Sequence, residues 1–283
     1  MDTTIFAPLM SKAHIFRYLA LVLALPLLLS CSKFRRLQKS DDWEKKFEAA
    51  MAYYEEKDYY RASILFEEVL PLIRGTKQAE LAQFYNAYSY YHQKQYILSA
   101  HYFENFSKIY SRSDHAMESS FMHAYSLYLQ SPQFNLDQTS TYEAITAMQN
   151  FINKYPYSEY KDRSTEIIDQ LQIKLEQKAY ANAKQYEKLR LYAAAVISFE
   201  NFKKDYPDSR LNEELHFLKI RTQYDYARNS FQRRQEERFQ KVVDDYYEFI
   251  DEYPQSQYIS EAEDIFGKSV SRLEKVKIAN LNN

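Results

Sequence analysis

The chain has 283 residues, with 37 Lys plus Arg against 39 Asp plus Glu and a formal net charge of −2. That balance removes the basic face that nucleic-acid phosphates demand. Two glycines cannot furnish the turns of a many-stranded sheet or a phosphate-cradling loop. With 46% apolar residues, 28 Tyr, 18 Phe and a single Cys, the composition leaves an all-helical protein with short connections.

Residues 1–30 read as a lipoprotein signal peptide. Residues 1–9 look like an upstream start ahead of Met10. Lys12 and Arg17 form a positive n-region, and Tyr18 to Leu29 is an apolar run of 12 residues. Such a run is too short to span a bilayer, which takes about 20 residues. Leu28-Leu29-Ser30-Cys31 resembles a bacterial lipobox, with Leu29 in place of the usual small residue. The resemblance implies cleavage after Ser30 and acylation of Cys31, so that a covalent lipid is the only non-protein group expected. Ser32 follows, where an aspartate retains inner-membrane lipoproteins, so the outer membrane, periplasmic side, is the expected address. With Cys31 acylated no thiol remains for a disulfide, and stability must come from packing. Residues 31–42 read as the lipidated cysteine and a short basic tether, Lys33 to Lys39, a solvated linker.

A repeat follows. Phe47-x-x-Ala50-x-x-Tyr53-Tyr54 recurs as Phe84-x-x-Ala87-x-x-Tyr90-Tyr91 and as Phe121-x-x-Ala124-x-x-Leu127-Tyr128, each step being 37 residues. Weaker copies start at Tyr180 and Tyr224. The spacing marks one face of a helix, and the alanine lets a neighbouring helix approach. After each copy comes a second pattern, anchored in turn on Ala62, Ser99, Ala144, Ala195 and Val242. In the first copy, Glu55 to Ala62 supplies the turn between the two helices. This resembles the tetratricopeptide repeat, with Lys57 where that family usually has glycine. The implied fold is all-α, a right-handed α-solenoid of about five degenerate helix pairs plus a C-terminal capping helix. Residues 43–156 hold repeats 1–3, and residues 157–283 hold repeats 4–5 and the cap. The first helices of repeats 4 and 5 are expected to be long, the former over Ser158 to Arg190, and the cap to run from about Ser256 to Lys277.

A third signature closes the last three repeats: Tyr155-Pro156-Tyr157-Ser158, Tyr206-Pro207-Asp208-Ser209 and Tyr253-Pro254-Gln255-Ser256. Proline ends the helix at the residue before it, and serine two positions on is suited to cap the next. The tyrosine is expected to staple the corner.

Lipobox, degenerate repeats, Tyr-Pro-x-Ser corners and length together resemble the BamD family, the lipoproteins of outer-membrane β-barrel assembly. The resemblance implies a non-enzymatic scaffold. Its C-terminal repeats would bind BamA-like POTRA domains, and its N-terminal repeats would bind C-terminal, aromatic-ended β-signals of unfolded barrel proteins. The repeat register then puts Phe47, Met51 and Tyr54, Phe84, Tyr88 and Tyr91, and Tyr125 and Tyr128 on the concave, first-helix face as a substrate-peptide groove. An inter-helix core position is the competing assignment for these rings, evenly balanced for Tyr54, Tyr88 and Tyr91 and the favoured one for Phe47 and Phe84. Catalysis has little to stand on. Gly75 and Gly267 make no nucleophile elbow, and His92, His101, His115, His123 and His216 form no metal-binding pair. Rival functions are another repeat lipoprotein, coordinating cell-wall synthesis or division, and a glycan-binding lipoprotein stacking sugars on tyrosine.

Overall fold

A computed structural model describes residues 33–281; Cys31 and the signal peptide lie outside them. All regular structure among the described residues is helical. A short helical segment covers residues 33–38. Eleven helices follow: α1 Trp43–Glu55, α2 Tyr59–Val69, α3 Lys77–His92, α4 Tyr96–Ile109, α5 Ala116–Gln130, α6 Thr139–Lys154, α7 Lys161–Lys188, α8 Tyr192–Asp205, α9 Asn212–Arg228, α10 Gln232–Glu252 and α11 Ile259–Leu281. The chain divides into two compact units. Unit 1 holds residues up to Ser131 together with Thr139–Ile168, and unit 2 holds Pro132–Gln138 and Asp169 onward. Within unit 1 each of α1 to α6 packs on the next, and within unit 2 so do α8 to α11.

The repeat register is written in burial. The small anchors Ala50, Ala87, Ala124 and Ala227 on first helices are fully buried, as are Ala62, Ser99, Ala144, Ala195 and Val242 on second helices. Large rings fill the space beside them: Phe66, Phe103, Phe106, Phe151, Phe202 and Phe249. The pattern works because a small residue brings two backbones close while its large neighbours interlock around the contact. At Ser99 the close approach is polar, with its Oγ 3.0 Å from Ser126 Oγ across α4 and α5.

Turns explain how so few glycines suffice. Lys57, Lys94 and Arg190 adopt left-handed backbone, with φ of 63°, 60° and 57°. Each stands two residues before a second helix. Around each, two carbonyls at the end of the preceding helix are bonded in the same way. Lys57 N–H donates to Tyr54 O (3.0 Å) and Asp58 N–H to Tyr53 O (2.8 Å). Lys94 and Gln95 repeat this on Tyr91 and Tyr90, and Arg190 and Leu191 on Glu187 and Tyr186. This is the Schellman arrangement, with a long basic residue where glycine usually sits.

The corners repeat as closely. Ser158, Ser209 and Ser256 each donate their N–H to the corner tyrosine's carbonyl, at 3.1 Å. Each Oγ accepts from the N–H two residues on, Tyr160, Leu211 or Tyr258, again at 3.1 Å. The serine therefore caps the turn leading into the helix rather than the helix's own first turn, which starts three residues after it. The tyrosine ring leans on the phenylalanine four residues earlier: Tyr155 on Phe151 (5.5 Å), Tyr206 on Phe202 (5.1 Å), Tyr253 on Phe249 (5.5 Å). A fourth corner lacks proline. Tyr110 leans on Phe106 at 5.1 Å, and Ser113 makes the same two bonds.

Three expectations change. The basic tether is not a free linker. Phe34 is buried, edge-on to Tyr53 at 5.8 Å with Arg61 over both rings, and Leu37 packs on the same core. Lys46 Nζ secures the segment through Gln38 O (2.8 Å) and Glu68 Oε2 (2.7 Å). Phe34 and Leu37, three apart, give a helical turn one apolar face. Secondly, the first helix of repeat 5 is ordinary, at 17 residues; the extra length lies in its second helix, α10, with 21. Asn229 ends α9 early by turning its side chain back to Asp225 O at 2.8 Å. The first helix of repeat 4 is long as expected, with 28 residues, about 42 Å. In unit 2 its flank is covered by the Pro132–Gln138 loop, where Lys178 Nζ donates to Leu136 O at 2.6 Å. Thirdly, the capping helix starts and ends later than expected, at Ile259 and Leu281.

Candidate functional site

The first helices of unit 1 carry a connected row of rings, half-buried apart from the exposed His92. From α1, Tyr54 meets Tyr85 (4.8 Å) and His92 (6.2 Å) of α3. His92 is stacked between Tyr59 (4.3 Å) and Tyr88 (6.0 Å). Tyr88 meets Tyr91 (6.2 Å), Tyr91 meets Tyr125 of α5 (6.3 Å), and Tyr125 meets Tyr128 (5.6 Å). Tyr54, Tyr88, Tyr91, Tyr125 and Tyr128 are thus brought together, each half-buried. Phe84 is buried in the core, against Phe103, Phe106 and His115. Phe47 is half-buried and faces Phe66 at 6.5 Å within the unit 1 core, and Met51 packs on that core too. Phe84 also meets Tyr85 (5.5 Å) and Tyr88 (5.0 Å) of the row.

Besides Tyr59 and Tyr85, sequence reasoning missed three members. His92 closes α3 and joins Tyr54 to Tyr88. Tyr160, at the corner after α6, stacks on Phe121 at 4.4 Å, and Phe121 stacks on Tyr125 at 5.6 Å. Glu118, in the first turn of α5, accepts a short hydrogen bond from the Tyr88 hydroxyl. The Tyr160 position was findable, because the residue two beyond the corner serine recurs as a stacking group: His115 on Phe84 (4.2 Å) and Tyr258 on Phe217 (4.8 Å).

Burial governs the electrostatics of the row. It pushes the Tyr54 and Tyr88 phenols well above the ordinary tyrosine range, and for Tyr88 the Glu118 bond adds to the effect. Their hydroxyls therefore stay protonated and can donate. Burial also holds His92 below the usual imidazole value, with nearby Lys57 assisting, so its ring is neutral at neutral pH. The surface is aromatic and hydrogen-bonding, with Glu118 bonded to Tyr88, Lys57 near His92 and Arg163 bonded to Tyr125.

A family model described as YfiO, outer membrane lipoprotein, matches residues 39–214. The chain belongs to this family. The match spans α1 to α8, the whole aromatic row and the corners at Tyr155 and Tyr206. No curated protein matches the chain. Membership in an outer-membrane lipoprotein family bears on how helices such as these reach a membrane, since no helix among the described residues is long and apolar enough to cross one.

Unit 2 offers a different surface. At the turn between α7 and α8, Leu189 and Leu191 are 57% and 50% exposed, and Phe231, at the start of α10, is 80% exposed. Leu191 and Phe231 occupy the N-cap position, where Asp58 in unit 1 accepts from Arg61 N–H at 3.2 Å. Both thus give up a helix cap for exposed apolar area, which water alone does not favour.

Proposed function

We propose that this chain is a BamD-like scaffold of outer-membrane β-barrel assembly, anchored by lipid on Cys31, with no catalytic role and no cofactor. The aromatic row of α1, α3 and α5 is the observation that carries the reading. An extended peptide shows alternate side chains to one face, and a row of half-buried rings with protonated hydroxyls suits such a segment: rings for its aromatic residues, hydroxyls for its backbone. Membership in the YfiO family supports the membrane address. In unit 2, Leu189, Leu191 and Phe231 are the proposed contact for a POTRA-bearing barrel subunit.

The test is a pull-down of the tagged chain from outer membranes in mild detergent, with mass spectrometry of the eluate. A barrel protein carrying POTRA domains at stoichiometric level is the expected partner. Recovery of cell-wall enzymes or of bound glycan instead would transfer the function to one of the rivals. For the row itself, Tyr88→Ala with Tyr91→Ala should weaken an aromatic-ended β-strand peptide while helicity is retained; unchanged affinity would remove the groove. Cys31→Ser should shift the protein from the membrane to the soluble fraction.

A further inference from the structure

Glu118 is a carboxylate bonded directly to the aromatic row, and no cationic side chain among the described residues pairs with it. It accepts the Tyr88 hydroxyl. Its charge helps raise the phenols of Tyr54 and Tyr160, and Tyr160 joins the row by stacking on Phe121 at 4.4 Å. Other charges of unit 1 have partners other than Glu118: Lys108 pairs with Glu104, and Arg163 pairs with Glu166 at 2.6 Å and bonds Tyr125 further along the row. Among the described residues no lysine, arginine or histidine forms an ion pair with Glu118.

An acid in the first turn of a helix gains from the helix dipole. That gain is available in open water and does not require a half-buried position against a tyrosine. Ring faces carry partial negative charge, and a carboxylate among them adds a full one, so the site is complementary to a cation. We infer that Glu118, with the rings of Tyr54, Tyr88 and Tyr160, binds a cationic side chain, lysine or arginine, of the extended segment that lies along the row. The inference rests on the row being a peptide-binding surface and specifies what that peptide must carry. It also sets a direction: a chain-terminal carboxylate is repelled at Glu118, so any terminus lies elsewhere along the row.

The test compares two short peptides of alternating aromatic residues, alike except for a central lysine or norleucine. Fluorescence anisotropy with the full chain in mild detergent reads both affinities. The lysine peptide should bind about tenfold more tightly, as a partly desolvated cation between rings and a carboxylate would. The preference should shrink at high salt. In Glu118→Gln, which keeps an acceptor for Tyr88, the ratio of the two affinities should fall to about one. Equal binding of both peptides to the unaltered chain would overturn the cation site while leaving the row as a peptide surface, and needs no variant. A lysine preference that survives Glu118→Gln would also overturn it. Failure of both peptides to bind would remove the peptide surface itself and the inference with it.

Discussion

His216 makes the stability of unit 2 sensitive to mild acid. It lies on α9, 5% exposed, edge-on to Phe249 at 5.5 Å and Tyr253 at 6.1 Å. Its Nδ1 is 3.4 Å from Glu252 Oε2, too poorly directed for a hydrogen bond, and neither ring nitrogen has another partner. Burial first, then the ammonium groups of Lys203 and Lys219, push its pKa down to about 4; Glu252 offsets part of this. The unfolded chain, with an ordinary value near 6.5, takes up the proton first. The stability His216 contributes is therefore fully present above about pH 6.5 and is lost as pH falls toward 4. At about 1.4 kcal/mol per pKa unit, lowering the pH from about 7.5 to 5 costs roughly 2 kcal/mol. His123 and His92 are depressed in the same direction, so the difference between chains isolates the effect. Glu252, whose pKa is lowered by its bonds to Lys203 and Tyr253 against the opposing effect of burial, loses its contribution only at still lower pH. The assay is urea unfolding followed by far-ultraviolet circular dichroism, because Trp43 reports on unit 1 alone. His216→Phe keeps an aromatic ring in the apolar site and should show roughly 2 kcal/mol less acid destabilisation than the unaltered chain. If both chains lose the same stability between the two pH values, the argument from burial is wrong.

Three other outcomes follow from the geometry. Lys57→Gly removes a side chain from left-handed backbone, a gain of about 1–2 kcal/mol set against a slightly smaller entropy cost, so thermal unfolding should show a net gain of up to about 1 kcal/mol. Lys57→Ala, which keeps the strain, should show none. Phe34→Ala should cost roughly 2–3 kcal/mol, less than a central core phenylalanine, and should open Arg35 and Arg36 to trypsin well before unit 1 unfolds. Leu189→Asp with Leu191→Asp should raise stability by about 1 kcal/mol, because the second change supplies the missing helix cap, yet abolish co-purification of the proposed barrel subunit; retained capture would move the contact away from this turn.

What the sequence made legible was whatever a helical period enforces. Ala50, Ala87 and Ala124 announced themselves because a small residue between aromatics recurs at a fixed step, and all three are fully buried. The Tyr-Pro-x-Ser corners were legible because proline marks them, and for the same reason the corner at Tyr110, which lacks proline, passed unnoticed. The docked Phe34 was hidden among basic neighbours that suggested solvent. Glu118 was hidden differently. An acid in the first turn of a helix is common, and nothing local shows that Tyr88, thirty residues earlier, aims its hydroxyl at it. Only the packing of α3 on α5's end reveals that pairing. The early end of α9 turned on Asn229, a residue that helices tolerate or end with according to where its side chain can bond.

The abundance of tyrosine over phenylalanine has a structural reason beyond any ligand. Apolar packing between repeats is non-directional, and ridges of similar size can slide by one residue with little loss. Hydrogen bonds cannot. Tyr90 of α3 and Tyr102 of α4 stack at 5.2 Å and both donate to Glu67 of α2 at 2.6 Å, tying three successive helices to one carboxylate. In unit 2, Tyr180 of α7 donates to Glu214 of α9 at 2.8 Å, and Lys184 closes the triangle. The corner serines do the same, Ser256 to Glu213 at 2.6 Å and Ser209 to Glu176. Each such bond is worth only about 1–3 kcal/mol, but a slipped register would break them together, and would leave the half-buried carboxylates of Glu176, Glu213 and Glu214 unpaired, which costs more than the bond contributes. Register between helices fixes the spacing of rings along α1, α3 and α5. The same residue type thus sets the repeat spacing on one face and displays rings at that spacing on the other. A chain without disulfides gains from this arrangement a surface of rings whose spacing follows from its own internal bonding.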